Sequence, residues 1–302
     1  MKKLQGVVTA MVTPFDKEGR VQHDKLENLT EFLIGKGVNG LYPLGTTGEM
    51  LRLSVPERKA VAETVIKKAG GRVNVFVHVG AMNESETIEL AKHACEAGAD
   101  GIGVVTPVYF SMTDRELVQY FVNVASSVPE DFPVYLYSIP QCAANDIKPH
   151  VAQEVAERCR NVIGIKYSYP DFLRVNEYLM INNESFSVVP GTDRLFLAGL
   201  VMGCDGVISG CSCAYPEPFV AVYRAYLEND LAKARKLQRI AIKYCEALRN
   251  GSNMSYFKEA LRLRGIDVGY MKAPQLDLTG DEIRDLEETL NRLNREAEEL
   301  FA

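Results

Sequence analysis

The chain has 302 residues, 47% hydrophobic and 25% charged, with a formal net charge of −6 at pH 7. That balance excludes a disordered chain, and the acidic excess argues against nucleic acid as a partner, because such binders carry a basic face. No apolar run approaches the roughly 20 residues that a bilayer crossing requires, so no membrane partner is expected.

The opening MKKLQGVVTAMVTPFD carries two lysines and a short apolar stretch, but it runs into Thr13-Pro14-Phe15-Asp16 without an h-region and cleavage site. It reads as a first strand. Short Val- and Ile-rich runs then recur: GVVTAMVT, VNGLYPL, VNVFVHV, GIGVVTP, FPVYLYSI, VIGIKYS, FSVVPG and GVISG. They show no polar alternation, as expected of parallel strands covered by helices on both faces. Between them, Ser54-Val55-Pro56-Glu57 and Thr113-Asp114-Arg115-Glu116 are capping boxes that start helices.

Eight strand runs alternating with helices predict an α/β fold, a (β/α)8 TIM barrel over residues 1–215. No GxGxxG follows the first strand, which removes the main argument for a dinucleotide fold. Residues 216–302 are predicted to form a C-terminal α-helical region packed on the barrel or on a neighbouring copy. There Leu237, Ile240, Ala241, Tyr244 and Leu248 share one helical face. A second face holds Ile283, Leu286, Leu290, Leu293, Ala297 and Leu300, with Thr279 and Glu282 capping its helix.

The seven cysteines are odd in number and contain no CxxC, which suits free thiols in a reducing cytoplasm. Cys211 and Cys213 are too isolated a pair for a metal site, and the four histidines have no ligand spacing. No metal is expected.

Reactive groups in such barrels gather at the C-terminal ends of the strands. Thr46 and Thr47 follow the second strand in LGTTGE, Tyr109 follows the fourth, Tyr137 ends the fifth and Lys166 ends the sixth. Each alone has an ordinary reading: a lysine in water, a packed tyrosine ring, a common βα turn. Together they form a chemical set. A desolvated lysine becomes a nucleophile for a carbonyl carbon and forms an imine. A tyrosine hydroxyl shuttles the protons, and a Gly-flanked turn with threonine hydroxyls cradles a carboxylate.

These residues, with TAMVTPF, TPVYF, YSIP, GIKYS, GTD and GVISG around them, resemble the dihydrodipicolinate synthase / N-acetylneuraminate lyase family of pyruvate-dependent class I aldolases. The resemblance covers nearly the whole chain. It implies a barrel with a helical C-terminal region, assembled as a dimer or as a homotetramer that is a dimer of dimers, and working without a cofactor. Lys166 would form the Schiff base with pyruvate or another 2-oxo acid, Tyr137 would be the acid/base, and Thr46 and Thr47 would hold the carboxylate, Thr46 also relaying protons. Tyr109 would reach into a neighbouring subunit's site, and the Ile208 carbonyl would face the pyruvate pocket.

Departures from the family pattern bear on the branch. Where the synthases place an arginine for the aldehyde's carboxylate, this chain has Cys142, which offers no bidentate fork. Ser168 fits the hydroxyl position of the lyases. The sugar-binding Asp-Glu pair of the lyases reads Asp193-Arg194 here, after Gly191, and Arg194 is either an anion contact or a solvated side chain. The expected activity is therefore a lyase that cleaves or forms a C–C bond between pyruvate and an aldehyde, acting on a hydroxylated sugar-type 2-oxo acid. Gly191, Asp193, Arg194 and Ser168 would contact that substrate. The alternatives are dihydrodipicolinate synthase itself, condensing pyruvate with aspartate semialdehyde, and a non-catalytic barrel that binds a 2-oxo acid. A flavin or phosphate-binding barrel is not supported, because GVISGCSCAYPEP lacks a Gly-rich phosphate loop.

Overall fold

The computed structural model describes residues 1–301, with side chains through Glu298. Eight βα units follow one another without interruption. The first four are β1 (Gly6–Ala10) with α1 (His23–Gly35), β2 (Gly40–Tyr42) with α2 (Val55–Ala69), β3 (Asn74–His78) with α3 (Glu84–Glu96), and β4 (Gly101–Val105) with α4 (Asp114–Ala125). The second four are β5 (Val134–Ser138) with α5 (Pro149–Arg158), β6 (Val162–Tyr167) with α6 (Phe172–Leu179), β7 (Ser187–Pro190) with α7 (Phe196–Met202), and β8 (Gly206–Ser209) with α8 (Pro216–Leu227). The sheet is wholly parallel and β1 pairs with β8, Gly6 opposite Gly206. The ring is nearly closed between β7 and β8, where the Asp205 N–H donates to the Val188 carbonyl at 3.1 Å. All eight apolar runs read from the sequence are strands, so the barrel is confirmed.

The helix starts follow the same logic. Ser54 and Glu57 exchange bonds at the start of α2, as do Thr113 and Glu116 at α4. Each box satisfies N–H groups that the first helical turn cannot pair internally.

Two apolar shells result from the strand pleat. Leu41, Val77, Val104, Leu136 and Ile165 face outward against helix residues such as Leu29, Leu90 and Leu117. Inside the barrel lie Val8, Tyr42, Phe76, Tyr135, Val189 and Ile208. Burying a side chain of this kind contributes about 1.5–3 kcal/mol. The β4 backbone makes room for the large rings: a Cβ at Gly103 would stand 1.9 Å from the Tyr42 hydroxyl.

α8 packs on β1 and completes the ring of eight, so the added helices begin at 231 rather than at 216. They are α9 (Leu231–Ala247), α10 (Met254–Leu263) and α11 (Gly280–Phe301). The predicted α9 face is buried, and α11 lies on α9 through buried Leu286, Leu290, Leu293 and Ala297. Tyr244 donates to Asn294 across that contact at 2.8 Å. Leu300, placed on the same face by the sequence, has its side chain outside the described residues. α10 crosses toward the strand ends, where Lys258 meets Glu49 at 3.0 Å with both side chains buried.

Candidate active site

Lys166 and Tyr137 stand side by side because β5 and β6 run in register at this level, Tyr137 opposite Lys166. A register shift lower in the pair, between Val134 and Tyr135, precedes this level. Lys166 is only 4% exposed, and its Nζ lies 4.0 Å from the centroid of the Tyr137 ring and 4.7 Å from that of Tyr42. It enters none of the ion pairs formed by the described residues, unlike the other deeply buried lysine, Lys258. An amine held among aromatic faces, without a carboxylate to neutralise it, is arranged for chemistry more than for stability.

The Tyr137 hydroxyl reaches the Thr46 Oγ1 at 3.4 Å, and either group can donate. Thr46 belongs to a tight turn bracketed by Leu44 and Glu49, both with positive φ. The Glu49 N–H donates to the Thr46 carbonyl at 3.1 Å, and Thr13 Oγ1 anchors the Gly48 carbonyl at 2.8 Å. Among the described residues, the turn's own backbone bonds do not use the N–H groups of Thr46 and Thr47. Thr47 is buried beside the loop after β8, so the turn faces the centre of the barrel mouth.

Sequence reasoning missed the floor of the site. Tyr42 is fully buried, and burial pushes its hydroxyl pKa well above the ordinary value. His78 ends β3 below Tyr137, its ring edge-on at 5.8 Å. Its Nδ1 bonds the Leu44 carbonyl at 2.9 Å, which makes it the N–H nitrogen and leaves Nε2 as an acceptor. Burial first, then the Arg58 and Lys166 charges, hold His78 well below the usual imidazole range. It is a neutral group. Nε2 and the Tyr42 hydroxyl are both buried without a hydrogen-bond partner among the described residues. The signal available in the sequence was polar residues inside VNGLYPL and VNVFVHV, which strand patterning alone does not orient.

The other expected residues divide. Ser168 and Gly191 join the lysine: a Cβ at Gly191 would stand 1.9 Å from Ser168 Oγ and 3.2 Å from Lys166 Cε. Ile208 lies within the barrel on β8, paired with Val8. Asp193 goes elsewhere. Its carboxylate lies within 4.8 Å of the thiols of Cys211 and Cys245, a set of three groups with the chemistry of metal ligands. Oδ1 is buried without a hydrogen-bond partner although the residue as a whole is half-exposed. Burial pushes the Asp193 carboxyl up, against the pull of Ser209, Cys211 and Lys166. Arg194 is exposed. Tyr109 is 77% exposed and packs edge-on against Phe110, so it is not drawn into its own chain's site.

From Thr46 a cleft of about 410 Å³ reaches to the start of α10; it meets the catalytic line at Thr46, whose Oγ1 lies 3.4 Å from the Tyr137 hydroxyl, and Lys166 itself does not line it. Cys142 lines it, in the place where the sequence comparison expected an arginine. Asp193, Arg194 and Ser168 are not among its lining residues.

Residues 3–293 match the model of the dihydrodipicolinate synthetase family. The 4-hydroxy-tetrahydrodipicolinate synthase of Aquifex aeolicus is 33% identical over 290 residues, 96% of this chain and 98% of that one. The N-acetylneuraminate lyase of Mediterraneibacter gnavus is 30% identical over 294 residues, 95% of this chain and 92% of that one. Among solved structures, YagE, a prophage protein of the dihydrodipicolinic acid synthase family from E. coli K12 in complex with pyruvate, superposes with a TM-score of 0.92 at 31% identity. That match covers 97% of this chain and 99% of YagE.

Proposed function

The chain belongs to the dihydrodipicolinate synthetase family of lyases and synthases, and from that premise we propose that it joins pyruvate to an aldehyde, or parts them, through a Schiff base on Lys166. The observation that carries this reading is the line Lys166–Tyr137–Thr46: a buried amine 4.0 Å from a tyrosine ring whose hydroxyl lies 3.4 Å from a threonine.

The Lys166 amine attacks the C2 carbonyl of pyruvate, and loss of water gives the imine. The Tyr137 hydroxyl, in contact with Thr46, delivers and removes the protons of that step. Thr46 and Thr47, with their free N–H groups, hold the pyruvate carboxylate. The imine draws electrons from the methyl carbon, which loses a proton and attacks the aldehyde carbon. The new bond leaves a hydroxyl at C4, and hydrolysis frees a 4-hydroxy-2-oxo acid and the lysine. The reverse sequence is the lyase reaction. The chemistry runs on the lysine itself and calls for no cofactor.

Within the family, the branch of lyases acting on 4-hydroxy-2-oxo acids is favoured over the synthase. Cys142 lines the cleft and cannot form the paired bonds that a second carboxylate requires. The seven free thiols fit a reducing cytoplasm. Exposed Tyr109 and Phe110 fit burial against another copy in a dimer or tetramer.

Borohydride added to the protein with pyruvate is expected to leave a stable adduct on Lys166, read by peptide mass. No adduct, or an unchanged one in Lys166→Ala, removes the proposal.

A further inference from the structure

We propose that the aldehyde partner carries an apolar substituent, an aromatic ring or a branched alkyl group, rather than a hydroxylated or carboxylated chain. This inference rests on the imine reading above and specifies what the imine meets.

Met50, Val105, Val108, Ile139, Ala143 and Met254 line the cleft that opens beside Thr46, the residue in contact with the Tyr137 hydroxyl. Five of the site's residues, Met50, Val105, Tyr137, Ile139 and Ala143, pack as one apolar cluster with Val108 against it. The proposed acid/base therefore belongs to the same apolar wall that receives the aldehyde.

Four of the polar side chains that line the cleft, Glu49, Arg52, Gln275 and Ser252, already have partners within the protein. Arg52 Nη1 donates to Glu49 Oε2 at 2.6 Å and to Gln275 Oε1 at 2.9 Å. Glu49 in turn faces Lys258 at 3.0 Å. Ser252 Oγ donates to the Arg249 carbonyl at 2.8 Å. Thr46 is assigned to the proton relay. The pair expected to hold sugar hydroxyls supplies no replacement, since the Asp193 carboxylate is turned to the cysteine pair and Arg194 is exposed, and Ser168 stands beside Lys166 and not on the cleft wall.

A hydroxyl brought against Met, Val and Ile side chains loses its bonds to water and gains none. An apolar group of similar size gives up only ordered water, and a cleft of about 410 Å³ opening beside Thr46 has room for it. The reaction balances as before. The methyl carbon of the imine-bound pyruvate bonds to the aldehyde carbon, the aldehyde oxygen takes a proton to become the C4 hydroxyl, and water releases the product from Lys166.

The test compares kcat/KM for pyruvate with benzaldehyde, isobutyraldehyde, glyceraldehyde and succinic semialdehyde, product being read as 4-hydroxy-2-oxo acid. The apolar aldehydes are expected to exceed the other two by on the order of tenfold or more. Val108→Asn, which alters the wall and leaves Lys166, Tyr137 and Thr46 in place, should lower the apolar values and reduce that preference. Borohydride trapping with pyruvate alone separates the two ideas. With an adduct formed, a preference for glyceraldehyde or succinic semialdehyde, or no turnover of the apolar pair, overturns this inference and leaves the imine reading standing. Without an adduct, the imine reading fails and this inference falls with it.

Discussion

Tyr137 and Lys166 are register partners on adjacent parallel strands, and the lysine Nζ lies 4.0 Å from the centroid of the tyrosine ring. The ring and the hydroxyl therefore have separable tasks: the ring helps to confine the amine, and the hydroxyl reaches Thr46 at 3.4 Å. Tyr137→Phe keeps the first and deletes the second. Its kcat is expected to fall by about 10²–10⁴-fold, while borohydride still traps a slowly formed pyruvate adduct. Wild-type turnover in this variant would show that the protons travel by another route.

Gly191 is the position that fixes how closely β7 approaches the lysine. An added methyl would stand 1.9 Å from Ser168 Oγ, 2.9 Å from Ser168 Cβ and 3.2 Å from Lys166 Cε. Gly191→Ala must push Ser168, and then the lysine, out of place. Overpacking of this kind costs about 1–3 kcal/mol, and adduct formation should slow with it. Adding Ser168→Gly in the same chain is expected to restore part of both, because it removes the two nearest atoms. Equal stability of Gly191→Ala and the wild type, measured by denaturant titration, contradicts the packing described.

The barrel was legible because a parallel strand covered on both faces is apolar throughout, and eight such runs can be counted. The same property hid the floor of the site. Tyr42 and His78 point inward beside Leu41 and Val77, which point outward, and a run without polar alternation carries no mark of which is which. Lys166 and Tyr137 were readable because they end their strands, where βα loops collect chemistry. The direction of Asp193 depends on Cys211 and Cys245, one from the loop after β8 and one from α9, and no local pattern joins them. The apolar wall is equally dispersed: Met50, Val108, Ala143 and Met254 come from four separate segments.

His78 links the floor of the site to pH. Burial, Arg58 and Lys166 hold its pKa well below 6.5, so the folded protein keeps it neutral. In the unfolded chain it takes up a proton near pH 6.5. Below that pH, and down to the folded value, the unfolded state holds one more proton than the folded state. Stability is thus fully present above about pH 6.5 and falls by about 1.4 kcal/mol per pH unit as the pH drops further. His78→Asn keeps a donor for the Leu44 carbonyl but removes the titration. Denaturant midpoints from pH 7 to 5 should fall more steeply for the wild type than for this variant; parallel curves would mean that His78 takes up its proton as readily in the folded state as in the unfolded one.

The cleft wall is tied together by a buried charge pair, Glu49 with Lys258, and this pair is expected to matter for stability out of proportion to its single contact. Nζ stands 3.0 Å from Glu49 Oε1, yet Oε1 accepts no aligned hydrogen bond, so the contact acts through charge. Lys258 also donates to the Tyr270 carbonyl at 2.7 Å, and Glu49 Oε2 holds Arg52 at 2.6 Å. Burial pulls the Lys258 pKa down, and Glu49 opposes that pull. Removing one member leaves the other buried and under-compensated, which costs about 3–5 kcal/mol when no other charge helps. Arg52 still faces Glu49, so Lys258→Met should fall near the lower end of that range. Glu49→Gln with Lys258→Met removes both charges, and its loss should be smaller than the sum of the two single losses, the mark of a coupled pair. Because Glu49 closes the turn that carries Thr46, the single variants should also slow adduct formation with pyruvate. Strictly additive losses in the double variant, measured by denaturant titration, would remove the coupling and leave Glu49 as a partner of Arg52 alone.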